Sequence, residues 1–302
     1  MKFQKIIALC ISLLLAACSA TNTPTQASKL GKSAIMDDML TLIEQNGPII
    51  FEKHIAANWH VPLSGLLNLD HPKAIAAGIE DREEDIQIFV YTLTHPEFGT
   101  FIVDSGISTR FTTAEGNPDI SFLVNKAMNI SDLEVLLTTK QLSENFGGID
   151  GVFLTHIHMD HIMGLTDLDS GVPVYIGPNG AALSTITHAV TQGTTDRLLA
   201  NVSSLNEWQF GDDGIIDVFG DGSLWAIHSP GHTPGSTAYL ARTTNGTELM
   251  LGDTVHTRWG WDNGVEPGTY SEDGPLSVTS LSKLLKISEQ HPKLNVHPGH
   301  QN

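Results

Sequence analysis

The sequence predicts an α/β fold on three observations. Apolar runs of strand length alternate with amphipathic stretches of helix length; several runs end at glycine, aspartate or histidine in turn-like settings; and no short-period repeat breaks the pattern. In chain order, the alternation from Asp85 to Thr94 and the run Thr100-Phe-Ile-Val-Asp104, joined through His95-Pro-Glu-Phe-Gly99, read as a β-hairpin ending at Asp104. Leu133 to Phe146 carries apolar residues at 133, 136, 137 and 142 and is followed by Gly147-Gly148, which predicts a helix with a glycine stop. Gly151-Val-Phe-Leu-Thr155 reads as a short buried strand, and further strands are expected at Pro173–Ile176, Trp225–His228, Thr237–Ala241 and Glu248–Leu251. A final helix is expected over Leu276–Gln290.

The N-terminus has a different character. Lys2 and Lys5 precede an apolar run, Ile6 to Ala17, that is too short for an ordinary membrane span and suits a targeting segment over residues 1–17. Its end, Leu15-Ala16-Ala17-Cys18, resembles the lipobox of bacterial lipoprotein signal peptides. That resemblance implies cleavage before Cys18 and lipidation of its thiol, and Ser19 in place of an aspartate points to the outer membrane, facing the periplasm. Residues 18–33 are polar and read as a flexible tether, which leaves 34–302 as one folded domain.

Cys10 and Cys18 are the only cysteines; the first leaves with the leader and the second is acylated, so neither a disulfide nor a thiolate ligand is expected in the mature chain. Removing Lys2 and Lys5 takes the net charge from −18 to −20, since residues 1–17 contain no acid. Such a surface argues against nucleic acid as a partner.

The chemistry concentrates in His156-Ile-His158-Met-Asp160-His161, just beyond a predicted buried strand. In extended chain, side chains two apart point the same way, so His156 and His158 can share one ion, while Asp160 and His161, past the turn, can face a second. Imidazole and carboxylate both suit zinc, with bonds of about 2.0–2.2 Å. Three later pieces repeat the setting: Ser229-Pro-Gly-His232, Leu251-Gly-Asp253-Thr-Val-His256 and His297-Pro-Gly-His300. A merely histidine-rich surface loop does not account for all four.

On these motifs the sequence, from about residue 85 to the C-terminus, resembles the metallo-β-lactamase superfamily. The resemblance implies an αββα four-layer sandwich of two similar halves with metals held at one edge between the sheets. It implies two divalent ions, zinc first among the candidates, with His156, His158 and His232 on one, Asp160, His161 and His300 on the other, and Asp253 bridging. It also implies that Asp104 orients a ligand imidazole, with His256 a further supporting residue beside the metals.

The activity implied is hydrolysis of a small ester-like substrate by a metal-bound hydroxide, with Asp160 passing the proton to the leaving group. Only Gln301 and Asn302 follow His300, unlike glyoxalase-II-type thioesterases, and the acidic Asp253 sets the chain apart from β-lactam hydrolases with the same motif. This points to the lactonase and phosphotriesterase-like branch, N-acyl-homoserine lactones included, although several such lactonases have tyrosine where His256 stands. Phosphotriester or β-lactam hydrolysis, a mononuclear iron persulfide dioxygenase and a non-catalytic envelope binding lipoprotein are the alternatives. Trp59, Leu63 to Leu67, Trp259, Trp261 and Tyr270 are the candidate walls of a substrate pocket.

Overall fold

The computed structural model describes residues 19–113, 117–182 and 186–302; the expected leader and the lipidated Cys18 lie outside the described residues. Two sheets form the body. The larger has eight strands in the order β1 (Thr25–Ala27), β9 (Leu205–Glu207), β8 (Val174–Ile176), β7 (Gly151–Phe153), β5 (Gly99–Val103), β4 (Glu83–His95), β3 (Ile50–Pro62) and β6 (Glu134–Val135). The smaller runs β14 (Asn295–His297), β13 (Gly246–Met250), β12 (Thr237–Thr243), β11 (Leu224–His228), β10 (Ile215–Asp217) and β2 (Lys32–Ala34).

Strand periodicity explains the layering. On β4, Ile86, Ile88 and Val90 join the core on the outer face of the larger sheet, whereas Phe89, Tyr91 and Leu93 point inward toward the smaller one. β11 does the same for its own sheet: Leu224 and Ala226 face inward, Trp225 and Ile227 outward. The inner layer is rich in aromatic rings, with Phe101 stacked on Phe153 at 5.0 Å and Tyr175 on Trp208 at 4.8 Å. Helices cover the outer faces: Leu142 and Leu198 belong to the outer core of the larger sheet, and Met39, Leu281, Leu284 and Ile287 to that of the smaller. The result is the four-layer αββα sandwich.

The predicted hairpin is β4 and β5, and the expected strands and final helix (Gly274–Gln290) are present within a few residues. Two readings are corrected. Residues 134–135 form β6 against β3, and the helix begins only at Thr139, because Thr138 and Gln141 form a reciprocal capping box there; Gly147 ends it in the left-handed region. The stretch 19–33 is also not a free tether. β1 pairs with β9 and β2 with β10, so this polar segment closes one edge of each sheet through its backbone while its side chains stay mostly exposed. Polarity of the side chains hid this pairing, since an edge strand needs only backbone donors and acceptors.

Direction of the strands decides where the site falls. β5, β7, β8 and β9 are parallel neighbours, and β11 and β13, both antiparallel to β12, run with β14. The loops leaving the C-terminal ends of β5 and β7 therefore meet those leaving β11, β13 and β14, where α/β folds commonly build their sites.

Candidate metal centre

His156 and His158 lie in the loop after β7, and Asp160 and His161 follow on a single helical turn, Met159–Ile162. Across the cleft, His232 follows β11, Asp253 follows β13 and His300 follows β14. The side chains converge as two groups of donors, His156, His158, His232 and Asp253 in one and Asp160, His161, His300 and Asp253 in the other, each within 4.8 Å. All seven predicted ligand positions are thus brought together, with Asp253 common to both groups.

The donor set fits two metal ions. His232 Nε2 lies 3.1 Å from His156 Nε2 and 2.8 Å from His158 Nδ1, and Asp253 Oδ2 lies 3.6 Å from His156 Nε2 and 3.4 Å from His232 Nε2. In the second group His161 Nε2 is 3.5 Å from Asp160 Oδ2 and 3.4 Å from Asp253 Oδ2, while His300 Nε2 is 3.3 Å from Asp160 Oδ2 and from Asp253 Oδ1. A tetrahedron of bonds about 2.0–2.2 Å long has edges of about 3.3–3.6 Å, close to most of these separations. Moreover, His161 Nε2 and Asp253 Oδ1 are buried without a hydrogen-bond partner, the cost of which a bound cation removes.

The outer nitrogens are held by the fold. His300 Nδ1 donates to the Gln87 carbonyl at 3.0 Å, His256 Nδ1 to the Leu66 carbonyl at 3.0 Å, and His161 Nδ1 to Asp104 Oδ2 at 2.8 Å. A carbonyl only accepts, so the proton of neutral His300 and His256 sits on Nδ1 and leaves Nε2 as a lone pair facing the cluster. Asp104 adopts φ +56°, in the left-handed region where aspartate is among the better-tolerated residues, and its carboxylate also accepts from Thr155 N at 2.8 Å and Thr155 Oγ1 at 3.0 Å. Asp104 therefore contacts a ligand ring as predicted. Thr155 went unnoticed in the sequence because threonine at a strand end carries no motif of its own.

Burial holds His156 and His232 well below the ordinary imidazole range, reinforced by neighbouring rings, so both are neutral as ligands must be. Burial acts the same way on His161 and His300, but the carboxylates win there: Asp104, Asp253 and Asp160 raise His161 well above its usual value, and Asp253 and Asp160 raise His300. Asp253 is buried too, yet His256, His300 and His161 keep its carboxyl well below the usual range. The first group is nitrogen-rich, three rings with one shared carboxylate; the second pairs two rings with two carboxylates.

His256 stands closer than a supporting residue need stand. Its Nε2 is 3.2 Å from Asp253 Oδ2, its ring stacks on that of His300 at 5.7 Å, and it lines the cavity. That cavity, about 290 Å³, has Asp160, His232, Asp253 and His300 at its floor and Trp59, Val61, Leu66, Ile86, Met128 and Ile157 among its walls. Trp59, Leu66 and Tyr270 thus line it as expected, whereas Trp261 is buried under the smaller sheet and Trp259 packs on the other core. Three described histidines elsewhere have structural partners: His95 with Asp221, His228 with the Pro234 carbonyl and His297 with Glu248.

An αββα sandwich with two His/Asp donor groups at one sheet edge defines the class of a metal-site protein. A sequence model of the metallo-beta-lactamase superfamily matches residues 86–300, and the chain belongs to that superfamily. An N-acyl homoserine lactonase, AttM of Agrobacterium fabrum, is 36% identical over 89 residues, which are 28% of this chain and 34% of the relative. The chain therefore spans about a third of the length of that curated relative. Among solved structures, a quorum-quenching N-acyl homoserine lactone lactonase matches with a TM-score of 0.59 and 16% identity over 85% of this chain and 94% of the other. AidC, a dizinc quorum-quenching lactonase in complex with product, matches with a TM-score of 0.55 and 14% identity over 91% and 92%. At such identities the structural matches establish the fold.

Proposed function

We propose that the protein is a dinuclear metal-dependent hydrolase of lactones, N-acyl-homoserine lactones first among them, with zinc as the natural ion and an acylated Cys18 holding it at the bacterial envelope, facing the periplasm. The observation that carries this reading is the pairing of two four-donor groups with a cavity that also carries an apolar side, built by Trp59, Val61, Leu66 and Ile86. A lactone bearing an acyl chain has the same division, a polar ring to react and an aliphatic tail to bury. The lactonase named among the relatives supports the same substrate class.

When bound, a divalent pair supplies a low-pKa water and polarises the carbonyl oxygen. The chain's own contribution is positional. Asp104 and the Gln87 carbonyl fix the rings of His161 and His300, so their Nε2 atoms need no reorganisation when substrate arrives. Asp160 is the floor carboxylate most open to the cavity, and its Oδ2 lies between His161 and His300. Ring opening adds water across the ester bond: the carbonyl carbon gains the hydroxyl, the C–O bond breaks, and a proton held at Asp160 passes to the departing alkoxide. Trp59, Val61 and Ile86 bury the tail.

The test is a panel of homoserine lactones of graded chain length, a simple ester, a β-lactam and a phosphotriester, each assayed with and without chelator. Lactone turnover that rises with chain length, stops with chelator and returns with zinc is expected. Phosphotriester turnover exceeding lactone turnover, or none on any substrate by the metal-loaded protein, overturns the reading.

A further inference from the structure

The two most exposed large apolar side chains among the described residues, Phe122 at 77% and Leu123 at 70%, are neighbours on the helix Phe122–Ala127. Solvent-facing Phe-Leu at the start of a helix gains nothing from folding, so its presence calls for a partner. The helix sits on the rim of the cavity. Val124 anchors it in the core, Met128 just past its end lines the cavity, and the Ser121 amide donates to Thr194 Oγ1 at 3.5 Å, Thr194 being a cavity wall.

The chain's N-terminal end arrives at the same rim. Ser19 Oγ donates to the Ala181 carbonyl at 2.8 Å, Gln192 Nε2 to the Ser19 carbonyl at 3.0 Å, and Thr21 Oγ1 to Asp196 Oδ1 at 2.6 Å. Ala20, two residues from Cys18, is 3% exposed and lines the cavity beside Thr191, Thr194 and Thr195. A residue spans at most about 3.6 Å, so the two residues between Ala20 and an anchor on Cys18 are a tether of at most about 7 Å.

We propose that the rim bearing Phe122 and Leu123 seats on a lipid bilayer, so that the cavity opens toward the membrane and takes acylated substrate from it. The claim rests on the lactonase reading for its substrate and on the acylated Cys18 for its anchor. An acylated Cys18 supplies the attachment, and a second apolar element beside the anchor fixes which face of the protein meets the bilayer. A second copy of the chain is the poorer occupant: two side chains are far short of a stable interface, and mature chains of net charge −20 repel each other. The same charge favours a zwitterionic surface over an anionic one.

The test uses the full chain produced with its leader and reconstituted in phosphatidylcholine vesicles, carrying an environment-sensitive dye on Leu123→Cys or, as control, on Val278→Cys, an exposed position on the Gly274–Gln290 helix. Nitroxide-bearing lipid is expected to quench the dye at 123 at least about threefold more than at 278. Equal quenching at both positions overturns the proposal, whatever the enzyme hydrolyses. Protection of the dye at 123 in vesicle-free solution, with the mass of a dimer by light scattering, overturns it in favour of a second copy. The double substitution Phe122→Asp, Leu123→Asp is expected to lower kcat/KM about tenfold for a twelve-carbon acyl lactone presented in vesicles and to leave a four-carbon lactone in solution within about twofold. An equal fall for both substrates, or none for either, contradicts membrane delivery.

Discussion

The two sheets contribute to the site in different ways. The larger delivers four donors, His156, His158, Asp160 and His161, from one loop and one helical turn, while the smaller delivers His232, Asp253 and His300 from the ends of three separate strands. A half-site written within six residues needs only a strand end and a turn. The other half exists only once β11, β13 and β14 are aligned to finish at the same edge. The lesson is that local sequence specifies ligand chemistry, and topology specifies that there are two sites instead of one.

The sharpest way to break this division is to remove the donor that belongs to both groups. Asp253→Asn is expected to cost both ions and lower kcat by about a thousandfold or more, whereas Asp160→Asn strips only the second group and costs about a hundredfold; elemental analysis beside lactone kinetics separates them. Retention of two ions by the Asp253 variant would show the groups to be independent. Next in size is the carboxylate behind the larger sheet's half-site. Asp104→Asn keeps a side chain that tolerates φ +56° but loses the charge facing His161 Nδ1, and should weaken metal affinity about 10–100-fold in a competitive chelator titration, with little effect on the fold.

Against this site, the fold's legibility was uneven for physical reasons. The β4–β5 hairpin, the central strands and the ligand loops were legible because buried strands keep a period of two and metal ligands need particular side chains. Asp104 was legible through the family resemblance, which gave the aspartate ending that strand its role. β3, β6 and the edge pairing of residues 25–34 were not: their register depends on backbone groups of distant strands, and Thr25–Ala27 shows no apolar face at all. Trp261 looked like pocket wall because aromatic residues near a ligand suit either role; burial under the smaller sheet assigned it to the core.

Where the half-sites touch, backbone packing is tight. Gly252 adopts φ +50° beside Asp253, and a methyl group there would come within 2.6 Å of Thr155 Cβ, across the junction of the two sheets. Gly252→Ala is expected to destabilise the fold by about 1–3 kcal/mol in thermal or urea unfolding, because strain and clash act together. An unchanged midpoint would mean the junction is looser than this packing implies.

The smallest expected effect lies beside the inward-facing rings of Phe89 and Tyr91. Lys53 is pulled down to about 8 from 10.5, first by burial and then by nearby Arg258, and its Nζ sits 3.6 Å from the Phe89 ring centre. Its folded pKa is below the unfolded one, so from about 8 to 10.5 the unfolded chain binds more protons and the Lys53 contribution to stability rises with pH. The half-exposed position makes the effect small. Urea midpoints of the natural chain and Lys53→Met, compared from neutral to alkaline pH, should converge as pH rises; a constant difference contradicts the assigned shift.

The central claim, two metal ions shared through Asp253, is tested most directly by metal content per chain after zinc loading and removal of loosely bound ions. Two equivalents in the natural chain, falling to about one in Asp160→Asn, is the predicted result. A single equivalent in the natural chain, unchanged by Asp160→Asn, would contradict it.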